Sequence, residues 1–369
     1  MIDGKLGFAQ IGCGRVSRNH LDAFARQDFP GRLVAVCDVV AAKAAEKSAK
    51  YGGVPAYTDY AEMLAKHPEI DVVDIATPTG LHARHVIDVL GTGRHVVVEK
   101  PMALRVEDSK AMIAAAKKAR RRLFVVKQNR FNTAIQAARK ALEEGRFGAL
   151  VMGTVRVRWK REQPYYEQDD WHGTWALDGG VMSQQASHHL DLLQWFLGDV
   201  ASVRCDAATR LLDIEVEDTA AATLRFTSGA IGIFEATVCA RPEDMEASIS
   251  LLGEKGSVII AGKAVNQIVH WKFAEPRADD AETIQRCSSE IPDVYGHGHE
   301  PYLRNVAEAI LAKRPALVEG PEGLKNVRIL TALYESAACD GDRKKPGCRI
   351  VKSKLGRAES AAAANMPQG

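Results

Sequence analysis

Three groups of residues in this 369-residue chain have types and spacings suited to chemistry. The first is the turn "IGCGRVS", where Gly12, Gly14 and Ser17 form G-x-G-x-x-S after an apolar run, and Asp38 ends the next apolar run. Gly12 permits a tight turn, Gly14 lets the backbone approach a pyrophosphate at a helix N-terminus, and Ser17 is small enough for close helix–sheet packing. Asp38 is placed to accept hydrogen bonds from adenine-ribose hydroxyls and to repel a 2′-phosphate. Val39 and Val40 follow it and no arginine adjoins it, so NAD is favoured over NADP.

The second group is "VVVEKPMA" (96–103), a strand ending in Glu99, Lys100 and Pro101. A lysine at the carboxyl end of a parallel strand lies on the face where such sheets bind ligands, and Pro101 constrains the backbone that aims it. The third is "WHGTWALDGGVMSQQASHHLDLL" (171–193). Read as one helix over 179–197, it puts Gln184, His188 and Asp191 at i, i+4 and i+7 on one stripe, while Leu192, Leu193 and Phe196 face a core. Polar groups on an inward stripe need partners, and a polyhydroxylated substrate would supply them. The combination suits oxidation of a secondary alcohol. His188 would be the general base, because imidazole titrates near neutrality. Lys100 would stabilise developing alkoxide charge and Gln184 would orient the substrate.

Elements to position these groups are legible. Strand patterns at 5–12, 32–38, 71–77, 95–100 and 123–130 alternate with amphipathic stretches such as 16–27, the signature of a parallel sheet wrapped by helices. After Gly148 the pattern changes to strands at 151–160, 219–226, 230–238, 247–253 and 257–262, with hairpin turns at Ser228-Gly229 and Glu254-Lys255-Gly256. Gly198 reads as the C-cap of the 179–197 helix, and two further helices are expected near 301–313 and 321–338. The expectation is an α/β Rossmann domain (1–125), then an α+β domain with a large, mostly antiparallel open sheet (126–350), then a disordered tail (351–369).

Bulk properties narrow the classes. Hydrophobic residues make up 46%, charged residues 26%, and the formal net charge is +2, without the basic footprint of a nucleic-acid binder. No segment approaches the ~20 apolar residues of a membrane span. The amino terminus enters a strand pattern without a leader peptide, and seven scattered cysteines show no paired or zinc-ligand spacing. A reducing cytoplasm, no disulfide framework and no bound metal are therefore expected.

"GCGRVSRNH", "EKP" and "DGGVMSQQASHHLDLL" together resemble the Gfo/Idh/MocA oxidoreductase family over about residues 5–338. The resemblance implies a Rossmann domain before an antiparallel-sheet domain. It matches Lys100 to the family's EKP lysine and His188 to the histidine of its H-x-x-D helix. Many relatives carry aspartate where this chain has Gln184, and an amide cannot relay a proton. "KQNRFN" (127–132), "YYEQDDWHGTW" (165–175), "SISLLGEKGSV" (248–258) and "PDVYGHGHEPYLRNV" (292–306) resemble the UDP-N-acetylglucosaminuronate 3-dehydrogenase subgroup, of the WlbA type. That subgroup oxidises a sugar 3-hydroxyl in surface-polysaccharide biosynthesis. The implied cofactor contacts are Gly12, Gly14, Arg15, Val16, Asp38, Thr77, Pro78, His82, Glu99, Lys100, Gln128, Trp171 and His172, the last standing where relatives often have arginine. The implied partners are a UDP-sugar, other copies of the chain in a dimer or tetramer, and, as in some relatives, 2-oxoglutarate as reoxidant.

A uronate also needs a cation. Alternation in "VRVRWKR" puts Arg156, Arg158 and Lys160 on one strand face and Trp159 and Arg161 on the other. Arg161, near Tyr165 and Tyr166, is the candidate. Asn129, Gln184, His188, Lys100, His297 and His299 complete the expected substrate set, the last two in a glycine-bearing loop without metal-ligand partners. Two alternatives stay open: a dehydrogenase or ketoreductase of a free sugar, inositol or other nucleotide sugar, and a non-catalytic NAD-binding sensor.

Overall fold

A computed structural model describes residues 4–291 and 294–357. The last twelve residues of the expected tail lie outside the described residues. The chain forms two compact units.

The first unit takes the described residues up to Val126 together with His299–Leu324. Its six strands are β1 (Leu6–Ile11), β2 (Gly31–Cys37), β3 (Ala56–Tyr57), β4 (Val72–Ile75), β5 (His95–Val98) and β6 (Leu123–Val125). They lie in the order β3-β2-β1-β4-β5-β6, every pair parallel. Helices α1 (Ser17–Phe24), α2 (Ala41–Lys50), α3 (Tyr60–Lys66), α4 (His82–Gly91) and α5 (Val106–Ala119) make the crossovers. The central strands are β-branched and buried on both faces, as a sheet flanked by helices requires. Asp74 is the exception, a fully buried carboxylate in the middle of β4. The expected Rossmann-type architecture is present.

The second unit takes Lys127–Gly298 and Lys325–Arg357. Its seven strands are β7 (Leu150–Arg158), β8 (Val200–Ala208), β9 (Thr219–Phe226), β10 (Ile231–Thr237), β11 (Glu246–Gly253), β12 (Gly256–Ala261) and β13 (Gln267–Phe273). They lie in the order β13-β12-β11-β7-β10-β9-β8, and only β7 and β10 pair in parallel. Its helices are α6 (Thr133–Glu143), α7 (Gln163–Tyr166), α8 (Val181–Gln184), α9 (Ser187–Leu197) and α10 (Asp280–Cys287). Helix α9 packs on β7 and β11, where Gly153 leaves room for Leu193 and Leu197. Each such leucine contributes about 1.5–3 kcal/mol by leaving water. Two closing helices follow, α11 (His299–Leu311) and α12 (Gly320–Ala337).

Several expectations need correction. The run at 123–130 is a strand only to Val125, because Gln128–Phe131 winds into a 3-10 turn that buries Lys127 and Arg130. The edge strands β8 and β13 had escaped the pattern. Helix α11 belongs to the first unit, since Tyr302, Leu303 and Val306 are buried and the helix packs on α1. Residues 351–357 are not a loose tail. The backbone N–H groups of Lys352 and Ser353 donate to Glu335, Leu355 is buried, and the Gly356 N–H donates to the Trp175 carbonyl at 2.8 Å. All seven cysteines are free thiols. No helix among the described residues is long and apolar enough to cross a membrane.

Gly12 shows how closely the first turn is built. Its φ is +90° and an added Cβ would run into the Ala76 carbonyl oxygen. Gly12→Ala should therefore cost at least about 1–2 kcal/mol of stability and weaken NADH binding, read by urea unfolding and by fluorescence titration.

Candidate active site

In the first unit the expected cofactor residues gather at the carboxyl ends of β1, β2, β4 and β5. Space for a Cβ at Gly14 is open to 4 Å, and no side chain caps the first turn of α1, so its backbone donors face an approachable cradle. Ser17 is fully buried and its hydroxyl donates to the Gly14 carbonyl at 2.7 Å, bracing the turn where a third glycine would stand. Asp38 accepts from the N–H of Cys13 (2.8 Å) and of Val40 (2.9 Å), which aims the carboxylate while leaving lone pairs for ribose hydroxyls. Arg15 is exposed and Val16 half-buried beside the cradle. These donors suit the diphosphate and ribose of a dinucleotide.

His82 departs from expectation. It is buried, and its ring nitrogens lie 2.9 Å from the carbonyls of Thr77 and of Pro101. Burial holds its pKa below the usual imidazole value, so it carries one N–H and donates to one carbonyl at a time. Its ring is spent clamping the Thr77–Pro78 and Lys100–Pro101 loops to each other. Glu99 is likewise turned inward. Its Oε2 accepts the Lys100 N–H at 2.9 Å, and its Oε1 lies 2.9 Å from His20 Nε2. His299, expected at the substrate, is buried in this same cluster with Nε2 3.8 Å from Glu99 Oε1.

In the second unit the expected single helix over 179–197 is two. After α8 the Ala186 N–H reaches back to the Val181 carbonyl at 2.9 Å, a wide five-residue turn, and α9 starts afresh at Ser187. Gln184 therefore ends α8, and only His188 and Asp191 share a helix face. Gln184 donates to Asp178, whose other oxygen accepts the Gly173 N–H at 2.8 Å. His188 sits on the first turn of α9, 7% exposed. Asp191 does not await a substrate. Arg130 donates to both its oxygens at 2.7 and 2.9 Å, and Lys127 Nζ lies 3.6 Å away. Burial opposes its charge, but Arg130 and then Lys127 hold its carboxyl below the usual range.

Around these helices Tyr165, Tyr166, Trp171 and His172 form one aromatic group, the His172 ring tilted against Trp171 with centroids 3.7 Å apart and edge-on to Tyr165 at 5.0 Å. Asp169 fixes His172 Nδ1 at 2.6 Å. Tyr166 and His172 also line an open cavity of about 390 Å³ with Thr174, Ile214 and Glu215. Arg161 lies over the Trp159 and Tyr165 rings and meets Asp244 at 3.3 Å, so a substrate carboxylate would compete with that pair. Gln128 and Asn129 are buried in the 3-10 turn, whereas His297 is exposed and bonded to the Glu290 carbonyl.

Comparison with known proteins identifies the family. Residues 6–127 match the model "Oxidoreductase family, NAD-binding Rossmann fold", and residues 135–259 match "GFO/IDH/MocA C-terminal domain". The chain belongs to the Gfo/Idh/MocA family. Like its relatives, it is an NAD-dependent oxidoreductase. It is similar to the WlbA dehydrogenase of Bordetella pertussis solved with NADH and UDP-GlcNAcA, at 43% identity and a TM-score of 0.88 over 95% of this chain and all (100%) of that one. The WlbA dehydrogenase of Chromobacterium violaceum, solved with the same two ligands, is 41% identical with a TM-score of 0.86, covering 94% and 97%. A levoglucosan dehydrogenase from Pseudarthrobacter phenanthrenivorans is 26% identical over 74% of this chain and 78% of its own length.

Within this family fold, the residues that sequence reading missed are buried ionisable groups. Asp74 carried a signal, since a carboxylate inside a strand buried on both faces must find a partner. Glu217 carried none, standing in the acidic stretch "DIEVED" that reads as a solvated loop. It is in fact buried, and its Oε1 accepts the Tyr334 hydroxyl (2.8 Å) and the Met182 N–H (3.0 Å). The Tyr334 hydroxyl also accepts the Gly180 N–H at 2.9 Å, so this pair anchors the entrance to α8.

Burial pushes the Glu217 carboxyl from 4.5 up to about 7, outweighing the bonds from Met182 and Tyr334. A carboxyl with a raised folded pKa binds its proton more tightly in the native state, so its contribution is whole below pH 4.5 and declines as pH rises through about 7. Glu217→Gln keeps the acceptor and removes the titration. The variant should gain stability over the parent above neutrality, by up to about 3 kcal/mol, and show a flatter pH dependence in urea unfolding.

Proposed function

We propose that this chain oxidises the 3-hydroxyl of a UDP-linked N-acetylglucosaminuronate, in surface-polysaccharide biosynthesis. The observation carrying this reading is the 43% identity, across nearly the whole length, to a dehydrogenase solved with NADH and UDP-GlcNAcA. Bound NAD supplies the hydride acceptor. Gly12, Gly14 and Asp38 would hold its diphosphate and ribose. His188 takes the hydroxyl proton, Lys100 donates to the same oxygen as charge develops, and Gln184, braced by Asp178, orients the sugar. Arg161 answers the uronate carboxylate by exchange with Asp244.

Single-turnover absorbance with NAD tests this reading. Reduced nicotinamide should appear with UDP-N-acetylglucosaminuronate and not with free N-acetylglucosamine, inositol or levoglucosan, and 2-oxoglutarate added afterwards should discharge it. Lys100→Met and His188→Ala should each cut the rate by about 10²–10⁴-fold and leave NADH affinity nearly unchanged. Near-normal turnover in both variants would overturn the assignment. Signal with a free sugar alone would move the substrate, and none with any sugar would favour a sensor.

We also propose that a second copy covers the open face of the seven-stranded sheet. That face carries Ile231 and Leu252, both exposed, beside a ladder in which Arg156 and Arg158 alternate with Glu235 and Glu246. A mixed-sign ladder can pair with its own copy. Sedimentation should give a dimer or tetramer that Arg158→Glu weakens, and a monomer at micromolar concentration would sink the idea.

A further inference from the structure

A string of buried ionisable side chains in the first unit ends at the Lys100 backbone. It begins with His20 on the inner face of α1. His20 Nδ1 lies 2.6 Å from Asp74 Oδ2 on β4, and Nε2 lies 2.9 Å from Glu99 Oε1 just past β5. The other Glu99 oxygen accepts the Lys100 N–H at 2.9 Å. From α11, His299 brings its ring 5.1 Å from His20, and Tyr302 is buried, its hydroxyl pKa raised by burial and then by the charges of Asp74 and Glu99.

Two carboxylates flank the ring, one at each nitrogen. A neutral imidazole has one N–H, so one of these two contacts would set a nitrogen lone pair against a carboxylate oxygen. With both carboxyls ionised, both contacts are satisfied only if both ring nitrogens donate. Burial opposes that charge, but Asp74 and then Glu99 outweigh it and push His20 up to about 10. Burial likewise opposes ionisation of Glu99, yet His20 and His299 hold it well below its usual value. Asp74 goes the other way, raised by burial despite His20. Burial and the neighbouring His20 keep His299 below the usual imidazole range, so it stands neutral beside the cation. Ligand atoms of His20, Glu99 and His299 lie within 4.8 Å of one another, but both His20 nitrogens are already spent on carboxylates, which makes this an ion-pair network and not a metal site.

We infer that His20 is a positioning residue for Lys100, holding Glu99 in the one orientation that fixes the Lys100 backbone at the carboxyl end of β5. His20 also stands eight residues after Gly12, on the helix that opens from the dinucleotide turn. The inference rests on the role proposed above for Lys100 and extends it to a residue that touches neither cofactor nor substrate.

Three variants and one titration decide it. In His20→Gln and Glu99→Gln, kcat should fall by roughly 10–100-fold, as for misplacement of a catalytic group, with the NADH dissociation constant within about threefold of the parent. The double variant should be no slower than the slower single, because residues acting in series lose the same interaction once. Independent structural damage predicts additive losses and weakened NADH binding, and either would overturn the inference. Titration of histidine-labelled parent protein by NMR should show one imidazole still protonated well above neutrality, missing in His20→Gln and shifted down in Glu99→Gln. A His20 neutral at pH 7 would also overturn it. If His20→Gln does not fold, the parent titration and Glu99→Gln still decide, since unchanged kcat in Glu99→Gln sinks the proposal. Lys100→Met run alongside separates the failures. If it retains turnover, the role of Lys100 falls and the inference with it. If it is inactive while His20→Gln and Glu99→Gln turn over normally, the inference alone fails.

Discussion

An imidazolium enclosed between two carboxylates is the constraint on which the first unit depends. His20, Asp74 and Glu99 come from α1, β4 and just past β5, and each is buried. Neutralising or removing the cation would leave buried anions unpaired, at a cost of about 3–5 kcal/mol. The helix that follows the glycine turn therefore cannot slide or rotate on the sheet without breaking two short charged contacts. The setting of Lys100 follows from the same three side chains. A raised His20 contributes stability that is whole below pH 6.5 and lost as pH climbs through about 10. The depressed Glu99 contributes stability that is whole above 4.5 and lost in acid. Within that window His20 and Glu99 keep their charges.

The second unit solves a similar problem with different groups. Asp191 is gripped from the 3-10 turn by Arg130 and Lys127, and Lys127 also donates to Asn326 on α12 at 3.1 Å. At the other end, Glu217 and Tyr334 anchor Gly180, and Asp178 braces Gln184. The break between α8 and α9 lies between these two anchors. Gln184 and His188 stand on opposite sides of that break, so their directions are set by separate anchors and not by one helix pitch. A continuous helix would have locked both residues to the same stripe and forced Asp191 toward whatever lay in front of them.

The sequence made the architecture readable because backbone periodicity and glycine geometry are local. Alternating apolar runs marked the parallel strands, G-x-G-x-x-S marked the turn, and Gly198 marked the end of α9. What it could not show was which polar groups were already satisfied. Gln184, His188 and Asp191 at helical spacing looked like one substrate-facing stripe, yet Asp191 belongs to Arg130, about sixty positions away in the chain. His82 and His299 looked like ligand contacts, yet their rings serve the protein interior. Pairings of this kind are long-range and depend on burial, which no short window of residues records. The two edge strands were missed for a milder reason. Their mixed composition, as in "VASVRCDAA", dilutes the alternation that central strands display.

Buried charge needs a reason, because apolar side chains of similar size would commonly serve stability as well or better. Here the ion pairs occur next to the residues that the fold presents for chemistry. Glu99 adjoins Lys100 in the chain, and Asp191 follows His188 by three residues on α9. In both places a charged contact does what an apolar one does poorly, which is to select a single rotation of the backbone that carries the working side chain. Each network also closes within its own compact unit. The backbone setting of Lys100 is fixed by α1, β4 and β5, and that of His188 by the 3-10 turn, α8 and α12. Within each unit the working side chain is thus oriented by the buried charges beside it.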